Sequence, residues 1–205
     1  MPACLILLTG LAHPAVAADN GSGFETLAAP DLPAEARPFL VAGTRPIVYE
    51  RGDLNGDGHE DAILVLESLE PHDVDGMAQR ARPLLVLVRD AGGTLRLRAR
   101  NDRVVLCPEC GGMMGDPLSG VTVERRAFQV DHYGGSAWRW SNLYRFGYSR
   151  RDDTWQLVRV ETSSFHAADP DEGKSTVRVP PRDYGKIDIA DFDPDALPEP
   201  APGRP

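Results

Sequence analysis

The chain has 205 residues and a formal net charge of −9 at pH 7. That acidity argues against nucleic acid and anionic membrane surfaces as partners, since phosphate recognition draws on clustered Lys and Arg. The length suits a single domain with its own core.

The first 18 residues hold no Asp, Glu, Lys or Arg, and residues 4–11 are almost wholly apolar. Ala15-Val16-Ala17 follows, the small-x-small pattern that signal peptidase accepts. The apolar stretch is shorter than the ~20 residues that span a bilayer. Residues 1–18 therefore read as an export signal, and the product is expected in the periplasm or outside the cell. Cys4 precedes the apolar run, unlike a lipoprotein acceptor, and no later stretch is long enough for a membrane span. Residues 19–44, rich in Gly, Ala and Pro, are predicted to be a loosely ordered lead-in with one short helical turn near 34–39.

From residue 45 to 193 the pattern predicts one domain, mainly β. Ile63-Leu64-Val65-Leu66 and Leu84-Leu85-Val86-Leu87-Val88 are short apolar runs bounded by turn residues. Leu95, Leu97 and Ala99 alternate with arginines, which predicts a strand with one wet face. Phe128, Val130 and His132 alternate with Gln129, Asp131 and Tyr133 in the same way. The segments Tyr144-Arg145-Phe146-Gly147-Tyr148 and Trp155-Gln156-Leu157-Val158-Arg159-Val160 flank Arg150-Arg151-Asp152-Asp153, a hairpin signal. Short connections throughout imply antiparallel pairing in a meander. Residues 46–106 and 120–162 form two similar halves. Two blades cannot close a propeller, which needs about four, so a sandwich or one curled sheet with few or no helices is expected. Residues 194–205 carry Pro at nearly every second or third position and are predicted to be a tail.

The segment Asp53-Leu54-Asn55-Gly56-Asp57-Gly58-His59-Glu60-Asp61 has the pattern of a calcium loop. Ca2+ takes six to eight oxygen ligands, and a tight loop supplies them from alternate positions around a turn glycine. Asp53, Asn55 and Asp57 stand at positions one, three and five. His59 offers its backbone carbonyl at seven, and Asp61 falls at nine. An EF-hand needs an acid at position twelve, where Leu64 stands inside an apolar run. The loop therefore leads a strand. From Gly52 to Val65 it resembles the calcium loop of FG-GAP/VCBS-type repeats, in a single copy. The resemblance implies Ca2+ ligation by Asp53, Asn55, Asp57, His59 and Asp61. A second acidic run, Asp188-Ile189-Ala190-Asp191-Phe192-Asp193-Pro194-Asp195, lacks a turn glycine and reads as a solvated acidic edge.

Cys107 and Cys110 remain after the signal is removed, an even pair in an oxidising compartment, and a loop-closing disulfide is expected. The spacing also fits a thioredoxin-type redox site, but Gly111 and Gly112 are poor material for the helix such sites open. Zinc would need two further ligands. The glycine loop Gly111-Gly112-Met113-Met114-Gly115-Asp116-Pro117 lacks the Lys-Ser/Thr ending of a phosphate loop. Asp116, His132, Tyr133, Trp138, Arg139 and Trp140 form a candidate ligand surface beside the Gly134-Gly135 break; the aromatics equally suit a core. Ser136 with His132 and Asp131 or Asp116 would make a hydrolase triad, but without a nucleophile elbow. The Cys-Gly-Gly-x-x-Gly-Asp-Pro and His-Tyr-Gly-Gly-Ser-x-Trp-Arg-Trp segments, with the Trp155 hairpin strand, resemble a group of secreted bacterial proteins over about residues 45–192. That resemblance implies a shared fold and brings no activity.

The reading favoured by the residues is an exported calcium-binding β domain, a non-catalytic binding or envelope-associated protein whose partner is a ligand the sequence does not name or an envelope component. A hydrolase of envelope or extracellular polymer is the alternative, and a dithiol redox protein a third.

Overall fold

The computed structural model describes residues 28–74 and 76–198. The expected export signal and the last residues of the expected tail lie outside them. The described residues are mainly β and antiparallel. One sheet has the order β1-β2-β5-β6, built from β1 (Thr44–Gly52), β2 (Asp61–Ser68), β5 (Leu84–Arg89) and β6 (Leu95–Asn101). A small hairpin of β3 (His72–Val74) and β4 (Met77–Gln79) is inserted between β2 and β5. The other sheet is a five-stranded meander of β7 (Leu118–Glu124), β8 (Ala127–Gly135), β9 (Trp138–Ser149), β10 (Thr154–His166) and β11 (Asp169–Arg178). Helical structure among the described residues amounts to three-residue 3-10 turns.

The two sheets pack as a sandwich around one core. Ile63, Val65, Leu84, Val86 and Ala99 from the first meet Phe128, Val130, Phe146, Trp155 and Leu157 from the second. At one side β1 approaches β7 so closely that a Cβ on Gly52 would fall 2.6 Å from Val123 Cγ1. At the other side the strap after β11 closes the gap. Ile187 O accepts from Leu157 N and Ile189 N donates to Trp155 O, both at 2.8 Å. Asn101 Nδ2 donates to the carbonyls of Ile189 and Phe192, both at 2.7 Å. The second acidic run is thus a core-sealing strap, with Ile189 and Phe192 fully buried.

β2 and β5 read as unbroken apolar runs because they are buried on both faces, the pattern of a covered strand. Their second face, with Ala62, Leu64, Leu66, Leu85 and Leu87, is roofed by Leu32, Ala36 and Phe39. The described part of the lead-in is therefore packed, and Glu35 pairs with Arg89 at 2.7 Å. The 3-10 turn Arg37–Phe39 falls where a short helical turn was expected. Chain order also continues past residue 194, since Leu197 packs against the main core.

β6 departs from simple alternation. A bulge opposite Val86 and Leu87 changes its parity, as an inserted residue must. Leu95 then joins the roofed face and Ala99 the central core, while Leu97 is left 49% exposed. β11 adds a fifth strand to the second half, an exposed polar edge.

If residues 28–39 roof the first sheet, Leu64→Ala removes a fully buried side chain beneath them. Urea unfolding is expected to show a loss of about 2–5 kcal/mol. A loss under about 1 kcal/mol would mean that the roof collapses onto the gap or is absent.

Candidate metal centre and surrounding site residues

The loop of residues 53–60 joins β1 to β2 and is shaped by its own side chains. Asp53 Oδ1 accepts from Gly56 N at 2.7 Å, and Asp53 Oδ2 accepts from Gly58 N at 3.2 Å. Asn55 Oδ1 accepts from Asp57 N at 2.9 Å, and Asp57 Oδ1 accepts from His59 N at 2.8 Å. These are Asx turns, which Asp and Asn form readily. Gly56 and Gly58 take positive φ of 82° and 90°, where a side chain would be strained.

Asp61 closes the loop from below and is 1% exposed. Its Oδ2 accepts from Leu54 N and its Oδ1 from Arg89 N, both at 2.9 Å. Burial pushes the Asp61 carboxyl above its ordinary range, and the charges of Asp57 and Asp53 push the same way against those hydrogen bonds. Burial also acts to raise Asp57, but hydrogen bonds from His59 N and Asn55 outweigh it and leave that carboxyl low.

The second sheet holds the loop from above. Trp155 Nε1 donates to Leu54 O at 2.9 Å, and Arg126 N donates to Asp53 O at 2.8 Å. A Cβ on Gly56 would lie 2.7 Å from Arg126 Cδ. Arg125 Nε stands 3.5 Å from Asp53 Oδ2.

Among the described residues, no three His, Cys, Asp or Glu side chains gather closely enough to hold a metal ion. Asn55 and the His59 carbonyl are oxygen donors outside that set. A carboxylate has about four lone-pair sites, so the bonds above leave acceptor capacity on Asp53, Asp57 and Asp61. The donor set is all oxygen, which suits a hard cation such as Ca2+.

The expected ligand surface is divided by the fold. His132 is 1% exposed and Asp116 is held in an ion network. The centre of that network is Arg82, a fully buried guanidinium. It donates from Nη1 to Asp116 Oδ1 at 2.6 Å and from Nε to Glu67 Oε2 at 2.8 Å, and Nη2 contacts both acids. Arg45 reaches the other oxygen of Glu67 at 2.7 Å. Arg82 Nη1 also donates to Leu106 O at 3.2 Å, tying the network to the cysteine turn. Burial pushes Asp116 up, and the Arg82 and Leu118 hydrogen bonds outweigh it, leaving the carboxyl low. Glu67 and Arg82 carry no motif that would mark them in the sequence.

His132 Nε2 accepts from Leu106 N at 3.3 Å, and its ring tilts against Tyr144 with centroids 6.0 Å apart. Burial, helped by the Arg82 charge, holds it down to about 4 against the pull of Asp116. The imidazole is neutral at pH 7, and Nε2 is already occupied. Asp131 sits on the opposite face, accepting from Gln129 Nε2 at 2.8 Å, and Ser136 is exposed at the turn before β9. The three do not form a triad.

Cys107 and Cys110 are disulfide-bonded, as expected. Their turn leads into Gly111, whose carbonyl accepts from Gly135 N at 2.9 Å. The two glycine-rich segments thus meet backbone to backbone. A Cβ would fall 1.9 Å from Gly115 O at Gly111 and 2.0 Å from Trp138 O at Gly135. Trp140 covers Gly134, where a Cβ would sit 2.5 Å from Trp140 Cζ2. Trp138 is 64% exposed, with its ring edge against His166. Tyr133 and Arg139 are half-buried, on the outer face of the sheet with Asp131. A polar groove on that face is lined by Asp131, Tyr133, Ser141, Glu161, Ser163 and Ser175.

No family model matches the chain, and no curated protein matches it. Among solved structures it is similar to one described as a Xanthomonas Type IV Secretion System related protein, at 17% identity and a TM-score of 0.34. The match covers 68% of this chain and 56% of that one, so this chain spans little more than half that protein's length.

Two outcomes are expected. Arg82→Met leaves Glu67 and Asp116 as buried acids without their shared partner, and urea unfolding should show a loss of about 3–5 kcal/mol. His132 binds a proton more readily when unfolded, so its contribution is complete above about 6.5 and is lost as pH falls toward about 4. His132→Asn should flatten the fall of stability with pH across that window. Parallel pH profiles for the two proteins would show that His132 is not buried neutral.

Proposed function

We propose that the protein is an exported β domain, periplasmic or secreted, that binds one Ca2+ in the loop between β1 and β2 and has a binding role at the cell envelope. The observation that carries the calcium reading is the loop's geometry: Asp53, Asn55 and Asp57 accept from its own backbone around two positive-φ glycines, above the buried Asp61 carboxylate. A buried carboxylate is raised by its own burial and by two neighbouring acids. A divalent cation would remove that conflict, since it neutralises the three charges together. The Asx turns and positive-φ glycines fix the backbone of the loop that carries these residues. Asp53, Asn55, Asp57, Asp61 and the His59 carbonyl would hold the ion, which would supply fixed positive charge and no reaction step.

A binding role is favoured over hydrolysis because the histidine a triad would need is buried, with Nε2 taken by Leu106 N and neither Ser136 nor Asp131 bonded to it. The polar groove on the outer face of the second sheet offers hydroxyls and carboxylates, among them Ser141, Ser163, Asp131 and Glu161. Trp138 adds an exposed aromatic near one end of that sheet.

Calcium chloride should raise the melting temperature by about 5 °C or more at saturation, in line with mass action on the folded state. Chelator should reverse the shift, and Asp57→Ala should abolish it. Magnesium at equal concentration should do less, because it demands stricter octahedral geometry. Identical melting curves in calcium and in chelator would refute the site.

A further inference from the structure

Arg178 ends β11 and is 8% exposed, yet its Nε and Nη2 are buried without an acceptor. The residue lies opposite Val160 of β10, where the edge strand gives way to the strap. The strap turns tightly there. Val179 N donates to Asp183 Oδ2 at 2.7 Å, and Gly185 N donates to Pro181 O at 3.0 Å. The turn brings the Tyr184 ring under the guanidinium, 5.7 Å from Arg178 Cζ to the ring centroid. Stacking of this kind fixes the plane of the guanidinium. The Tyr184 hydroxyl is also buried without a partner.

Nε and Nη2 are the two donors on one edge of a guanidinium, the fork that matches the two oxygens of a carboxylate. Asp183 of the strap, whose charge acts on Arg178 through space, does not fill it. Asp183 is held by Arg182 Nε at 2.7 Å and Nη2 at 2.9 Å, with Val179 N on the same carboxylate. A pair of water molecules would satisfy the N–H groups but leave the buried fork with no acid bonded to it, although a buried guanidinium is best held by a hydrogen-bonded carboxylate. Elsewhere in this chain the fully buried guanidinium, Arg82, has two carboxylates. Arg178 has the donors of such a pair, and among the described residues no acid takes them.

We propose that Arg178 is the floor of a carboxylate-binding site, in which a small organic carboxylate takes Nε–H and Nη2–H side-on beneath the strap. The Tyr184 hydroxyl is a further donor beside it. Burial holds that phenol up at about 12, so it stays protonated and able to donate. The site lies on the second sheet and strap, and none of its residues belongs to the calcium loop.

The test uses the full chain in calcium, with sodium acetate titrated against sodium chloride at matched ionic strength. Acetate should give a saturable rise in melting temperature of about 2–4 °C beyond chloride. Arg178→Lys keeps the charge and loses the fork, and should lose the acetate response while keeping the response to calcium. Isothermal calorimetry with acetate should show one site in the wild type and none in Arg178→Lys. Acetate and chloride acting alike on the wild type, or an undiminished acetate response in Arg178→Lys, would overturn the proposal. Loss of the calcium response alone would bear on the loop and leave Arg178 untouched.

Discussion

Asp61 is the point on which the loop, the first sheet and the sandwich all depend. It is the first residue of β2, and its side chain points into the protein. One oxygen takes Leu54 N from the loop and the other takes Arg89 N from the end of β5. Leu54 is itself fully buried, and its carbonyl receives Trp155 Nε1 from the second sheet. A single carboxylate thereby sets the loop's height above the sheet and the distance to the facing sheet. Its burial is unfavourable for its charge, and the acids of the loop add to the conflict. The fold is built around a negative charge that protein groups only partly compensate.

At the other end of the sandwich the balance is reversed. Arg82 is enclosed by Glu67 and Asp116, with Arg45 on the far oxygen of Glu67. Such a network gives little net stability over an apolar core, because desolvation offsets the attraction. Its geometric effect is larger. It ties the end of β2, the entry to β5, the cysteine turn and the start of β7 to one planar group. The Leu106 backbone serves both Arg82 and His132, which places Gly111 against Gly135. The glycines are required because the backbones touch there.

Local chemistry made some of this legible in the sequence and hid the rest. The loop could be read because Asp, Asn and Gly at alternating positions write the turn directly. The β9–β10 hairpin could be read from alternation around Arg150-Arg151-Asp152-Asp153. β11 is an edge strand, exposed along most of its length, so no apolar pattern marks it in the sequence. The roof over β2 rests on two buried residues, Leu32 and Ala36, in a stretch whose Pro and Ala content reads as unstructured. The strap reads in the sequence as an acidic edge, since Ile189 and Phe192 stand among Asp188, Asp191 and Asp193. Asp116 and His132 stand near the aromatics in sequence. Strand alternation and a distant arginine took them inside instead. Nothing local in Glu67 or Arg82 signals their partnership.

The most direct test of the calcium-stabilised loop is amide hydrogen exchange at Leu54 and Arg89, the two donors to Asp61, in calcium and in chelator. Calcium should slow exchange at both amides, and at Gly56 and Gly58, relative to amides of the β9–β10 ladder. Equal protection of Leu54 and Arg89 in the two conditions would contradict the claim that a cation completes the charge balance around Asp61.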